Sequence, residues 1–237
     1  MRLNGFENCN IVIPVSKLNL LAIDTSTSSM VLGLKKGDIV IDRTVLNVRT
    51  HSREILLSIS SLLAEAELQP TDLDGIVFGQ GPGSFTGLRI SVGIVQGLAY
   101  GAGLRVVPVS SMAAVAQGAV NDEGSVLVAL SARLEEFYYG TYELSNGLVT
   151  ATSAECVRNL SELDLPFSEG CILVTDVPHL WQKISKSLDV HFSKVSSETL
   201  PTVHNLLKLG INRLSQGGAI SALEASPVYL REEVVRL

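Results

Sequence analysis

Cysteine, histidine and lysine are all sparse in this chain, and each scarcity excludes something. Three cysteines, Cys9, Cys156 and Cys171, form neither a CxxC pair nor an even set. A disulfide framework is therefore not expected, and the thiols read as free in a reducing compartment. The four histidines, His51, His179, His191 and His204, contain no HxxxH or HExxH pair, which argues against a sequence-local metal site. No lysine stands between Lys36 and Lys183, so no glycine-rich loop in that interval can be a P-loop, which needs lysine directly after its last glycine. Apolar runs are short and broken, well under the roughly 20 residues of a membrane helix. The start, MRLNGFENCNIVIPVSKLN, has one early basic residue, a very short apolar run and an interior Pro14. It makes a poor secretory signal, so a soluble protein of the cytoplasm is expected. A net charge of −6 disfavours independent nucleic-acid binding, which usually needs a basic footprint.

What the chain does have is apolar residues, 46% of its 237 positions, enough for one large domain or two ordinary ones. From Leu18 the segment LNLLAIDTSTSSMVLGLKKGDIVIDRTVL shows three apolar runs separated by a Thr/Ser turn and a Lys-Lys-Gly-Asp turn. That pattern predicts an antiparallel meander. THSREILLSISSLLAEAEL follows with helical spacing, Ile55, Ile59, Leu62 and Ala66 on one stripe and Thr50 as cap. IVFGQG reads as a buried strand, Ser84 to Tyr100 as a second helix, LRVVPVS as a strand and SMAAVAQGA as a small-residue helix. The pattern then repeats in part. SVLVALSARLEEFYYGTYEL predicts two strands around a turn, CILVTD a strand, and PHLWQKISKSL and TVHNLLKLGINRLSQ helices. Two related α/β units follow, with a boundary between Ser110 and Asn121.

The segment GQGPGSFTG carries Gly79, Gly81, Gly83 and Gly87, with Pro82, Ser84 and Thr86 between them. Glycines let backbone N–H groups face an anion, and Ser84 can cap a helix whose N-terminus is partly positive. The spacing fits neither a dinucleotide fingerprint nor a GxSxG nucleophile elbow, so a role in shape competes with one in chemistry. In the helix that follows, Gly93, Gly97 and Gly101 recur every four residues and share one face. Each costs about 0.5–1 kcal/mol relative to alanine, which predicts a closely packed neighbouring backbone. The helix is otherwise apolar nearly all round, and the first helix adds a second apolar row through Leu56 and Leu63. Periodicity leaves two readings open: a central helix wrapped by its own domain, or a surface for another protein.

The segments LLAIDTSTSS, HSREIL, GQGPGSFTGLRISVGIVQGLAYG, VPVSSM and PVYLR resemble the bacterial TsaB (YeaZ) family in order and spacing, from Leu18 to Arg231. The resemblance implies two ribonuclease-H-like α/β domains of the actin/sugar-kinase/Hsp70 superfamily. They would lie at 18–115 and 116–237, after an N-terminal extension at 1–17. It also implies a part in making N6-threonylcarbamoyladenosine at position 37 of tRNAs that read ANN codons. The implied part is that of a non-catalytic subunit supporting the TsaD transferase, joined by the ATPase TsaE, and forming a homodimer when the partner is absent. No cofactor would be bound by the chain alone, ATP or ADP belonging to the assembled complex, and tRNA would be met only through that complex. The contact is expected on the two helices, at His51, Ile55, Leu56, Ile59, Leu63, Phe85, Arg89, Gly93, Gly97 and Gly101. By analogy with the superfamily's kinases, Asp24, Thr25 and Ser26 form a candidate vestigial nucleotide turn. The alternative is a turn whose side chains bond its own backbone. A separate alternative is an independent ATP-dependent transferase or peptidase. The chain departs from the family pattern in ALSARLEEFYYG, where Ser131 replaces an aspartate, Leu134 a methionine and Glu135 a small or acidic residue.

Overall fold

In the computed structural model, residues 14–47, 51–119, 124–133, 135–162, 170–177, 179–188 and 190–230 are described, the side chains of 51–53 and 187–188 excepted. The expected cap Thr50, Leu134, Cys9, Asn121 and most of the 1–17 extension lie outside these residues, as does the side chain of His51.

The three apolar runs fold as β1 (Asn19–Asp24), β2 (Val31–Lys36) and β3 (Ile39–Asp42), an antiparallel meander. Helix α1 (His51–Glu65) crosses to β4 (Gly75–Gly79), and α2 (Phe85–Ala102) crosses to β5 (Val106–Val109); β4 and β5 join β1 in parallel. The sheet order is β3-β2-β1-β4-β5. Helix α3 (Ser111–Ala119) leads to the second sheet. There β6 (Gly124–Arg133), β7 (Glu136–Ser145) and β8 (Leu148–Ala151) are antiparallel, and β9 (Cys156–Asn159) pairs with β7. Strands β10 (Ile172–Thr175) and β11 (Lys194–Ser196) add in parallel around α4 (Leu180–Leu188). Read from the other edge, β8-β7-β6-β10-β11 repeats the first sheet's order and directions. Both are ribonuclease-H-like domains, so the sequence echo is structural.

Alternation along β1 divides its residues between two faces. Leu21 and Ile23 join Ile55, Ile59, Leu62 and Val95 beneath α1 and α2. Leu20 and Ala22 join Val77 and Val107 on the opposite face, where α5 (Val203–Ser215) contributes Val203, Leu206 and Leu207. Packing also crosses the expected division at 115/116. Helix α5 packs on the first sheet and Ile220 bridges to Val106, while Met112, Val115 and Ala116 of α3 pack with the second. The two sheets thus exchange helices, because α5's apolar face finds its matching surface on β1 and β4. Among the described residues no helix is long and apolar enough to cross a membrane.

Candidate functional site: the glycine loop, the cleft and an open helix face

The turn after β1 closes on itself. Asp24 is buried, accepting from the Ser26 N–H at 2.7 Å and from the Ser111 hydroxyl at 2.6 Å. Burial pushes its carboxyl above the usual carboxylate range, against the lowering effect of those hydrogen bonds. The Thr25 hydroxyl donates to the Gly87 carbonyl at 2.7 Å, and the Ser84 N–H to the Ser26 carbonyl at 2.6 Å. The glycine loop is spent in the same way. Gly81 donates its N–H to Ser111 Oγ at 3.1 Å, and Gly87 donates to Ser84 Oγ at 3.2 Å, which caps α2.

Three of the loop's glycines are explained by one neighbour. A Cβ at Gly79 would run into the Asp24 carboxylate, one at Gly83 into Ser26, and one at Gly87 into the Thr25 carbonyl. Gly81 has φ +98° and leads into Pro82, which is buried. Thr86 is exposed on the first turn of α2. The segment Asp24–Ser26 and the loop therefore form one interlocked corner, whose amides at Gly81, Ser84 and Gly87 point at protein acceptors.

That corner is one wall of a cleft of about 770 Å³, where Ser26 and Ser84 face Ser131, Arg133, Tyr138 and Asp176 of the second domain. At the departure from the family pattern, the Ser131 N–H donates to Asp176 Oδ1 at 2.8 Å and its hydroxyl to Oδ2 of the same residue. A carboxylate thus stands at this wall from β10's end. Behind it, the Glu155 carboxylate accepts from the Tyr142 hydroxyl at 2.6 Å and from the Ser110 hydroxyl, linking the second sheet to the end of β5. Burial raises the Glu155 carboxyl above its ordinary range, opposed by those two bonds. Among the described residues, no three His, Cys, Asp or Glu side chains gather as a metal set. Cys171 is buried and its thiol is pushed up to about 11, chiefly by desolvation; Cys156 is half-buried.

Helices α1 and α2 sort the remaining expected residues into two groups. Ile55, Ile59 and Leu63 are core side chains, 0%, 3% and 5% exposed. They lie beneath the outer face of α1 and pack against the first sheet. Leu56, Phe85, Arg89, Gly93, Gly97 and Gly101 are exposed. Among the described residues the close neighbour expected at the glycine row is missing: outside the helix itself, nothing lies within 4 Å of a Cβ built at Gly93, Gly97 or Gly101. Beside that row Leu57 and Tyr100 are each 72% exposed. Tyr229 was not anticipated as a site residue. It stacks on Phe85 with ring centres 5.5 Å apart and accepts a hydrogen bond from Arg89 at 3.1 Å. Only the PVYLR motif hinted that this region mattered.

The family model for TsaD, tRNA N6-adenosine threonylcarbamoyltransferase, matches residues 45–220. The Escherichia coli (strain K12) protein named tRNA threonylcarbamoyladenosine biosynthesis protein TsaB is 31% identical over 223 residues, covering 92% of this chain and 96% of its own. The Haemophilus influenzae protein of the same name is 33% identical over 236 residues, covering 93% and 96%. A solved structure of YeaZ from Pseudomonas aeruginosa superposes with a TM-score of 0.80 at 31% identity, covering 90% of this chain and 100% of that one. Another Pseudomonas aeruginosa structure, described as an uncharacterized protein with similarity to peptidase YEAZ, gives 0.81 at 30% identity and the same coverage. Identity of this level over nearly the full length of both relatives, with the paired sheets superposing, is decisive: the chain belongs to the TsaB (YeaZ) family.

Proposed function

We propose that this chain is a non-catalytic subunit in the formation of N6-threonylcarbamoyladenosine at position 37 of tRNAs reading ANN codons. It acts by docking a TsaD-type transferase on the outer face of α1 and α2. The observation that carries this reading is the bare row Gly93, Gly97 and Gly101, exposed with no described atom within 4 Å of a built Cβ. Three glycines weaken a helix by about 1.5–3 kcal/mol in all. A second protein packed closely against them supplies the compensation that the described residues of this chain do not. The names of the relatives and the TsaD family model support the pathway. Of the groups through which an independent ATPase would work, Asp24 is held by Ser26 and Ser111, and the Gly81, Ser84 and Gly87 amides by Ser111, Ser26 and Ser84.

On this reading the same face pairs two copies when the partner is absent, and a TsaE-type ATPase joins the heterodimer. ATP or ADP belongs to the assembly, and tRNA is reached through it, in keeping with a net charge of −6. Sedimentation of the purified chain with a TsaD-type transferase, with and without ATP, tests it. A one-to-one complex that Gly97→Leu abolishes, while the variant alone unfolds no earlier than wild type, is the expected result. Absence of a complex together with ATP hydrolysis by the isolated chain would return the protein to the enzymes.

A further inference from the structure

Phe85, Arg89, Gly93, Gly97 and Gly101 are successive members of one four-residue row along α2. A neighbour laid along that row meets three bare glycines and then a raised end, and the raised end is built from held parts. The Arg89 guanidinium carbon lies 3.8 Å from the centre of the Phe85 ring, and its Nε donates to the Tyr229 hydroxyl. Tyr229 is fixed in turn by its own segment: the Val228 N–H donates to the Gln80 carbonyl at 2.7 Å, and the Gln96 side chain to the Ala225 carbonyl at 2.8 Å. Arg89 is exposed, yet two contacts, one to each ring, favour a single placement of its side chain. Its ordering has been accomplished in folding, which removes that loss from any later association.

Arg89 is also the only charged residue of α2, and no carboxylate among the described residues pairs with it. Its two terminal amino groups have no acceptor among the described residues, and the residue is exposed; such a planar fork suits a carboxylate. A single cation at one end of the glycine row of α2 sets direction and register, which glycines and alkyl groups by themselves do not.

We infer that Arg89, stacked on Phe85 and tethered by Tyr229, is the polar anchor of the docking face. It takes an aspartate or glutamate carried near the end of an apolar partner helix laid along the glycine row. This rests on the docking reading above, the partner being the TsaD-type transferase. Tyr229 is a positioning residue in this scheme, since it acts through Arg89.

The test is the affinity of the full chain for that transferase at low and high salt, each variant first checked by its thermal transition. Arg89→Glu is expected to weaken pairing by about 100-fold or more, as for loss of one partner of a desolvated charge pair. Arg89→Gln is expected to flatten the salt dependence that wild type shows, which a packing role alone would leave intact. Tyr229→Phe keeps the ring and loses the tether, so affinity falls while the salt slope stays. A folded Arg89→Gln with wild-type affinity and wild-type salt slope overturns the anchor. If Gly97→Leu still abolishes pairing in that case, the docking face survives without it; if Gly97→Leu pairs normally, the face and the anchor fall together. An Arg89 effect confined to self-association would make a second copy the occupant, and would overturn the assignment to the transferase.

Discussion

Replacing Gly93, Gly97 and Gly101 together by alanine should make this protein more stable and worse at its task. None of the three has the positive φ that would strain an L-residue, and nothing described lies within 4 Å of the added methyl groups. The substitutions therefore act on the helix alone. Each gains about 0.5–1 kcal/mol, so the triple variant gains roughly 1.5–3 kcal/mol. For a chain of this length each kcal/mol moves the thermal midpoint by about 2–4 °C, giving a rise of roughly 3–12 °C. In urea the midpoint should rise with an unchanged slope, because the surface exposed on unfolding is nearly the same. Both measurements are needed over a dilution series, since self-association by wild type would add a concentration-dependent stabilisation that the variant lacks. The limit at high dilution is the quantity predicted. Affinity for a TsaD-type transferase should fall, because three methyl groups hold the two helices apart. A midpoint that is unchanged or lower at high dilution would show that the row is already packed within the chain. The compensation argument would then be wrong.

Two other perturbations probe the interior. Gly87→Ala, in the same helix, should have the opposite sign, lowering stability by about 1–3 kcal/mol, because its Cβ meets the Thr25 carbonyl; equal urea midpoints for variant and wild type would refute the interlocked corner. Glu155 has a folded-state pKa raised by burial, so its protonated form is favoured on folding. The stability this gives is fully present below the unfolded value and is lost as pH rises through the raised one. Urea midpoints between about pH 4 and 8 should then show Glu155→Gln gaining on wild type as pH rises; parallel curves would exclude a shifted Glu155.

Local signals were legible wherever the physics was local. Ser84 caps α2 as expected and Gly103 closes it with φ +68°, because capping depends on neighbours a few residues away. The meander, the two crossover helices and the β6–β7 hairpin followed from periodicity for the same reason. Strands β9 and β11 gave no such signal, being four and three residues long without clean alternation. Which way a stripe faces was less visible: Leu56 and Leu63 look alike on a helical wheel, yet one is 57% exposed and the other 5%. Nor does anything in GQGPGSFTG announce that its glycines answer to Asp24–Ser26, a segment more than fifty positions earlier. The association of Arg89 with Tyr229, 140 positions apart, is likewise a product of tertiary packing.

The placement of α5 has a consequence for the order in which this protein can be completed. The strands of the first sheet are all synthesised by Val109, but the face holding Leu20, Ala22, Val77 and Val107 is covered largely by Val203, Leu206 and Leu207 of α5, with Ala114 of α3 beside them. As the chain emerges from the ribosome, its earliest domain is therefore among the last to close. A nascent chain stalled before residue 203 carries a finished meander with one apolar side in water, exposed to whatever else is nearby. The second domain, enclosed in sequence between the two parts of the first, is synthesised while that gap is still open.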